Sequence, residues 1–257
     1  MVKPELQEKS WKKLFNHDLN DKVMKIILLL ILFHVTSLFA QNNREIFDSL
    51  KVYHYQALFI NENGDTLSNE MVSLQSTGKP WSADPKQDLA IYNYYSSDSV
   101  VSGFTNPMNE KLVWKPLSYH KESRTGVIET DSSIWIHPFR SNQYCYTEVA
   151  PFPTVKNPKS LKVGDQYSGG TLFIMSGWGA FKGKVKSSFE VIDTKNHSLN
   201  GSQISDCFEI VGSGVHDKLG ESKTILWFNS NLGFLKMEYF TYDGNQIIFK
   251  LVEIEKL

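Results

Sequence analysis

Hydrophobic and polar residues alternate with a period of two near the C-terminus of the chain. This alternation predicts three consecutive strands, Thr224–Phe228, Phe234–Tyr242 and Gln246–Ile254. Turn-forming residues separate them at Asn229–Gly233 and Asp243–Asn245. Because a period of two places successive side chains on opposite faces, we expect a sheet with one buried and one solvated face.

The length of the last loop determines which side chains share the buried face. A loop with an odd number of residues keeps the apolar sets of both strands on one face, whereas a two-residue loop separates them. We therefore expect a three-residue hairpin loop with Gly244 at positive φ. The side chains expected on the buried face are Leu235, Met237, Tyr239, Ile247, Phe249 and Leu251.

Shorter apolar, β-branched and aromatic runs predict more strands upstream. They are Val52–Ile60, Met71–Gln75, Asp88–Tyr95, Gly126–Thr130, Ser133–His137, Gln143–Val149, Lys184–Asp193 and Asp206–Val211. Ser76–Gln87 is predicted to be a loop, and Gly212–Gly220 has the composition of a hairpin loop. The proline-rich segment His137–Val163 predicts an irregular crossing over the surface. The fold class is therefore mainly β.

A secretory signal peptide is the clearest functional feature of the sequence. Lys25 precedes a short apolar run, and Ala40 is followed by polar residues, which predicts a signal peptide over residues 24–40 with cleavage after Ala40. The alternative is a retained membrane anchor, but the run of about 15 residues is short of the roughly 20 that a spanning helix needs. We expect an exported protein of the periplasm or cell envelope, with membrane contact only through this segment if it is uncleaved.

Residues 1–23 fit poorly in front of a signal peptide because they are long and of mixed charge. We interpret them as an artefact of start assignment, with translation beginning at Met24, or as a short cytoplasmic leader before an anchor. Residues 41–257 show no repeat, linker or low-complexity tract, and their length is normal for one β-rich domain.

Composition excludes several classes of protein. Residues 1–40 hold six of the 27 Lys/Arg and four of the 28 Asp/Glu, which leaves 21 basic and 24 acidic residues in the remainder. A slightly acidic domain does not attract a phosphate backbone, so nucleic acid is not an expected partner. Phosphate-binding loops, dinucleotide-binding glycine patterns, zinc-protease motifs and the nucleophile elbow are all absent from the sequence, and no cofactor or catalytic residue is predicted.

The C-terminal meander, with an aromatic pair before a Gly-Phe-Leu-Lys strand and an Asp-Gly hairpin, resembles the closing strands of exported Gram-negative envelope proteins. The stretches Ile134–Arg140 and Glu148–Pro153 resemble a second block of such proteins. The resemblance covers roughly residues 134–254. It implies a single curved antiparallel sheet or open half-barrel with little helix, of the periplasmic lipoprotein-carrier type, whose concave face can hold an acyl chain.

Two groups of residues are candidates for a site. The half-barrel interpretation makes the aromatic side chains Trp135, Trp178 and Trp227 candidate ligand-binding residues, because apolar pockets are lined by aromatic rings. The alternative is that they fill the core. His137, Arg140 and Glu148 form a possible polar site, an acid–base group beside an anion-binding partner. Their alternative roles are a strand end and a surface ion pair. No metal site is predicted, because the histidines lack ligand spacing.

Three functional classes remain open. The preferred one is a module that binds or carries an apolar, lipid-like or peptide ligand on the curved sheet. The others are a structural or partner-binding envelope protein without a pocket, and an enzyme of unrecognised class. Cys145 and Cys207 could form a disulfide after export, but nothing in the sequence brings them together, so we expect two buried thiols.

Overall fold

A single antiparallel sheet of twelve strands organises the part of the chain that the structure describes. That structure is a computed structural model, and it describes residues 44–95 and 119–257. The strands are β1 Lys51–Ile60, β2 Thr66–Trp81, β3 Asp84–Tyr94, β4 Glu122–Thr130, β5 Ser133–Ile136, β6 Thr154–Lys156, β7 Gln166–Ile174, β8 Gly183–Leu199, β9 Ser202–His216, β10 Gly220–Asn229, β11 Gly233–Phe240 and β12 Gln246–Lys256. The predicted leader, signal peptide and cleavage point lie outside the described residues.

The order of strands in the sheet is β6-β5-β4-β3-β2-β1-β12-β11-β10-β9-β8-β7. Every neighbour pair is antiparallel, and β1 joins the two halves by pairing with both β2 and β12. Helix within the described ranges is limited to short 3-10 segments at Asn142–Val149, Pro158–Ser160 and Ser176–Phe181. The predicted fold class, one curved antiparallel sheet with little helix, is confirmed.

The C-terminal meander has the geometry expected from its alternation. In β11 and β12, Met237 lies opposite Phe249 and Tyr239 opposite Ile247. The six side chains predicted to share the buried face are all at most 1% exposed. The prediction is therefore confirmed, and this face forms the centre of the core.

The turn of this hairpin also agrees with the prediction of a loop with an odd number of residues. Thr241 N–H donates to the Asn245 carbonyl at 2.9 Å, which encloses the three residues Tyr242–Gly244. Gly244 has φ +83°, a region that a Cβ atom would strain. The loop lies one residue earlier than the predicted Asp243–Asn245.

Two predicted loops are strands instead. Ser76–Gln87 was expected to be a loop, but β2 continues to Trp81 and β3 begins at Asp84. The ladder there is irregular, with register shifts on both sides of Pro80, so glycine and proline bend the strands without ending them. Gly212–Gly220 was likewise expected to be a loop, but β9 extends to His216 and only three residues form its turn.

The proline-rich segment between β5 and β6 lies inside the curved sheet. The surface crossing predicted for His137–Val163 is wrong for residues 137–153, and the strand predicted for Gln143–Val149 is also wrong. Asn142–Val149 is a 3-10 helix in which every residue is buried. We name residues 137–153 the inner segment. Its prolines prevent it from joining the ladder, and its aromatic side chains find apolar contacts only against the core face.

The inner segment is packed tightly against the concave face. The Phe139 ring lies 4.8 Å from Phe249 and 4.7 Å from Tyr92, centroid to centroid. Pro151 crosses β9 where a Cβ atom on Gly212 or Gly214 would lie within about 3 Å of its ring, so glycine permits this close approach. Thr224 Oγ1 donates to the Pro151 carbonyl at 3.0 Å and fixes the crossing.

The Glu129 carboxylate holds the first described residues against the sheet. Glu129 accepts hydrogen bonds from the backbone N–H groups of Glu45, Ile46 and Phe47 at 2.6–2.9 Å. These contacts bury Ile46 and Phe47 in the core. Arg44–Leu257 is a compact unit of its own. Within the described ranges no helix is long and apolar enough to cross a membrane.

Candidate ligand cleft between the sheet edges

The sheet curves until its two edge strands, β6 and β7, approach each other. The hydroxyl of Tyr167 on β7 donates a hydrogen bond to the backbone carbonyl of Thr154 on β6 at 2.8 Å. Among the described strands, β6 pairs only with β5 and β7 only with β8. A side-chain contact therefore bridges the two edges while their backbones remain unpaired with each other.

A cleft of about 350 Å³ lies between these edges. Trp135, Thr154 and Lys156 line one side, and Ser168–Gly170 lines the other. We name this space the edge cleft. Its volume falls at the lower end of the range that small-molecule sites occupy, and its lining combines one large aromatic side chain with polar groups.

The β7 wall of the edge cleft exposes backbone because it contains two glycines. The ladder with β8 shifts register between Ser168 and Gly170, which indicates a bulge. Gly170 has φ +84°, and no atom lies within 4 Å of the position that its Cβ would occupy. A bulge of this kind leaves backbone groups outside the ladder, where a bound chain can reach them.

Two polar side chains, Gln87 and Lys156, line the opposite wall. The Gln87 amide nitrogen donates to Asp84 at 3.0 Å, and its Oε1 is buried without a hydrogen-bond partner in the described part of the protein. Lys156 Nζ donates to Ser133 Oγ at 3.1 Å and has no carboxylate partner among the described residues. Because Gln87 Oε1 is buried against Gly126, the polar group that this wall offers to a ligand beside Trp135 is the Lys156 cation.

The three candidate tryptophans do not form one site. Trp135 lines the edge cleft, with its ring 4.5 Å from His137 and 5.9 Å from Phe152. Trp178 lies in the 3-10 segment after β7, beneath the Arg140 guanidinium at 5.5 Å. Trp227, on β10, packs against His197 with their ring centroids 5.0 Å apart. The three rings therefore lie in separate environments.

The three residues of the candidate polar site do not act together: Arg140 and Glu148 form an ion pair, and His137 lies among aromatic rings. Arg140 Nη1 donates to both carboxylate oxygens of Glu148 at 2.9 and 3.1 Å, and Glu148 is buried. Burial raises the pKa of Glu148, and the Arg140 charge opposes that rise. The pair neutralises two charges within the inner segment, which is a structural task.

His137 is surrounded by aromatic rings. Its ring lies 4.5 Å from Trp135, 5.5 Å from Phe152 and 5.7 Å from Trp81, and its Nδ1 is buried without a partner among the described residues. Burial, and then the nearby Arg140 charge, lower the pKa of His137 to about 2. An imidazole this weakly basic stays neutral at physiological pH, so it is poorly suited to accept a proton in catalysis.

Sequence reasoning missed the residues that make the edge cleft a site. Gln87 fell within a predicted loop, and Lys156 fell within the predicted surface crossing. Gly169 and Gly170 were visible as a glycine pair, which is the one local signal of a bulge. Nothing in the sequence indicated that β6 and β7, the two ends of the sheet, would meet.

Comparisons with known proteins found similar folds at low sequence identity. No family model matches the chain, and no curated protein matches it. A protein from Bacteroides fragilis, described as exported and as having a YmcC-like fold, shares 10% identity with TM-score 0.46; the match covers 82% of this chain and 98% of that one. The hypothetical lipoprotein YmcC from Escherichia coli shares 8% identity with TM-score 0.37, covering 87% and 96%.

A LolA-superfamily protein from Nitrosomonas europaea also matches, at 7% identity and TM-score 0.23, over 86% of this chain and 93% of that chain. These names agree with the predicted resemblance to exported envelope proteins of the lipoprotein-carrier-like half-barrel group. Nothing about the activity of this chain follows from likeness at this level.

Proposed function

We propose that this protein is exported to the cell envelope and binds an extended peptide segment of a partner in the edge cleft. Export is inferred from the signal-peptide pattern of residues 24–40. The observation that carries the binding proposal is that two edge strands, unpaired with each other, lie on either side of a cleft that contains Trp135.

An edge strand offers alternating N–H and C=O groups to an added strand. Such addition gives affinity through main-chain hydrogen bonds and specificity through side-chain pockets. In the edge cleft, the bulged Ser168–Gly170 stretch supplies main-chain groups other than the Gly170 N–H, which donates to Ser168 Oγ at 3.0 Å, and Trp135 supplies an apolar surface. Lys156 attracts a carboxylate of the ligand.

A lipid-like ligand on the concave face receives less support from the packing. The inner segment already covers the core face there, with Phe139 and Tyr144 in ring contact with Phe249. An acyl chain would have to displace these side chains, which are fully buried. The edge cleft is open without such a rearrangement.

Peptide-library selection tests the proposal. The chain from Gln41 is panned against random peptides displayed on phage, and enriched peptides are measured by fluorescence anisotropy. We expect Trp135→Ala to weaken binding by at least about tenfold, because a central tryptophan carries much of the energy of such contacts. Trp227→Ala is the matched control, since it removes an equally large, half-buried ring on a different strand.

The outcomes discriminate between classes of ligand. Enriched peptides whose affinity changes with Trp135 but not with Trp227 support the proposal. Absence of enrichment, or equal losses in both variants, contradicts it. Binding of a fluorescent fatty acid in place of peptides, unaffected by Trp135→Ala, would assign the protein to lipid-like ligands and contradict the edge-cleft proposal as well.

A further inference from the structure

A second surface, separate from the edge cleft, exposes apolar side chains beside lysines. On β7 and just after it, the side chains of Phe173 and Met175 are 63% and 72% exposed. Val215 on β9 is 53% exposed. Met175 is the most exposed large hydrophobic residue in the described part of the chain.

Strand register places Phe173 and Val215 on one face with two lysines between them. Phe173 pairs with Lys184 across β7 and β8, and Lys186 pairs with Val215 across β8 and β9. Residues 184 and 186 point to the same side of β8 because they are two apart. The Lys184 ammonium lies 5.4 Å from the Phe173 ring centre, which confirms the shared face.

The turns at the end of these strands add further positive charge. Lys218 Nζ donates to the Lys182 carbonyl at 2.9 Å, which holds the turn after β9 against the start of β8. Lys182, Lys184, Lys186 and Lys218 have no ion-pair partner among residues 44–95 and 119–257. We name these four lysines with Phe173, Met175 and Val215 the basic apolar patch.

Few carboxylates oppose this charge. Asp217 is beside Lys184, whose backbone N–H donates to Asp217 Oδ1 at 3.0 Å, and Glu221 pairs with Val215 across β9 and β10. The hydrogen bond from Lys184 and the nearby cationic groups keep the pKa of Asp217 below its ordinary value. The patch is therefore locally cationic in a chain whose formal net charge is −1.

We propose that the basic apolar patch docks the protein on an anionic phospholipid surface. Exposed apolar side chains next to unpaired lysines match the boundary between acyl chains and acidic headgroups, where each gains a favourable environment. An acidic polypeptide would satisfy the lysines. It would leave the largely exposed Phe173 and Met175 side chains against polar groups, so the lipid surface is the better match. This docking is independent of the peptide-binding proposal and uses different residues.

Vesicle flotation tests the docking surface. The chain from Gln41 lacks the N-terminal apolar run, so vesicle binding reports on the patch. We expect it to float with vesicles that contain phosphatidylglycerol and not with phosphatidylcholine alone, and to be released by salt. The double variant Phe173→Ser/Met175→Ser should lose about tenfold or more in vesicle partitioning, as should Lys184→Glu/Lys186→Glu.

The matched control is Leu50→Ser/Leu257→Ser. These side chains are 60% and 63% exposed and lie next to each other at the open ends of β1 and β12, where Leu257 N–H donates to the Leu50 carbonyl. The control should partition like the unmodified chain. The side chains of all three substituted pairs are at the surface, and thermal unfolding verifies that each variant is folded.

Three results would overturn the inference. They are failure of the unmodified chain to bind anionic vesicles, equal binding by the Phe173→Ser/Met175→Ser variant, and binding of polyglutamate in preference to vesicles. The last result would assign the patch to acidic polypeptides. None of these results affects peptide binding in the edge cleft, which is measured without vesicles.

Discussion

Arg140 donates two hydrogen bonds to the buried carboxylate of Glu148, and this pair holds the inner segment together. The two residues are eight apart in sequence; Arg140 precedes the 3-10 helix that fills the concave face, and Glu148 lies in its last turn. Arg140 also lies over the Trp178 ring, so the pair connects the inner segment to the turn between β7 and β8. The interior of the sheet is therefore occupied by the chain itself.

Removing one partner of this pair should destabilise the protein strongly. In Arg140→Met the Glu148 carboxylate stays buried without its cation, and we expect a loss of about 3–5 kcal/mol in the free energy of unfolding at neutral pH. Arg124→Met, which removes a largely exposed ion pair with Glu122, is the control and should cost about 1 kcal/mol or less. Denaturant unfolding measures both.

The pH dependence of Arg140→Met has a defined sign. Burial raises the pKa of Glu148 in the folded state, and loss of Arg140 raises it further. A carboxyl with a raised pKa binds its proton more tightly in the folded than in the unfolded chain, so stability falls as pH rises through that pKa. The variant should thus lose less stability in acid than at neutral pH, and a loss that is independent of pH would contradict this account.

Phe249→Ala tests the core face of the meander. The Phe249 ring is fully buried and contacts Phe139, Tyr144 and Tyr239. Truncation leaves a cavity, and we expect a loss of about 3–5 kcal/mol. Lys250→Ala, the next residue on the exposed face, should change stability by less than about 0.5 kcal/mol. A loss below roughly 1 kcal/mol for Phe249→Ala would place this side chain outside the core.

His137 should contribute to acid lability. Its pKa falls from 6.5 to about 2 on folding, because burial disfavours the charged ring. The unfolded chain therefore takes up a proton that the folded one does not, and stability declines as pH falls below 6.5, by at most about 1.4 kcal/mol per pH unit. His137→Phe keeps an aromatic ring among Trp81, Trp135 and Phe152 and should flatten this decline.

Urea unfolding between neutral pH and pH of about 4 measures the effect. Trp81→Phe is the control, because it changes a ring beside His137 and removes no titratable group. It should retain the acid slope of the unmodified protein. Equal slopes in the His137→Phe variant and the unmodified protein would show that His137 does not titrate as inferred.

Both cysteines should be free thiols. Cys145 and Cys207 are unbonded and buried in the structure, in agreement with the expectation of two buried thiols. Burial raises the pKa of Cys145 to about 12, so its thiolate is scarce in the folded state. Thiol titration of unreduced protein should detect two groups after unfolding and almost none before it. No titratable thiol in the unfolded, unreduced sample would mean that a disulfide had formed.

Cleavage after Ala40 remains a prediction. The segment before it lies outside the described residues, and the expected product begins at Gln41. N-terminal sequencing of protein isolated from its own envelope decides the question. A terminus at Met1 or Met24 would indicate a retained anchor.

The local sequence pattern was sufficient to predict the structure of the C-terminal meander but not that of the inner segment. The alternation of apolar residues and the odd number of residues in the loop assign Leu235 and Phe249 to one face, and both features depend only on neighbouring residues. The stretch Gln143–Val149 has strand-like residues, yet it folds as a 3-10 helix because the sheet around it supplies the apolar contacts. Local propensity yields to tertiary packing in such a segment.

The sequence by itself determined that the described chain is a mainly β domain, that its C-terminus forms a meander of three strands, and which six side chains form the centre of the core. Only the tertiary structure decided what occupies the concave face and where a ligand can enter. Trp135, Lys156 and Gly170 come together because curvature over twelve strands brings β6 to β7. That curvature is the sum of small twists between neighbouring strands, which no local sequence pattern records.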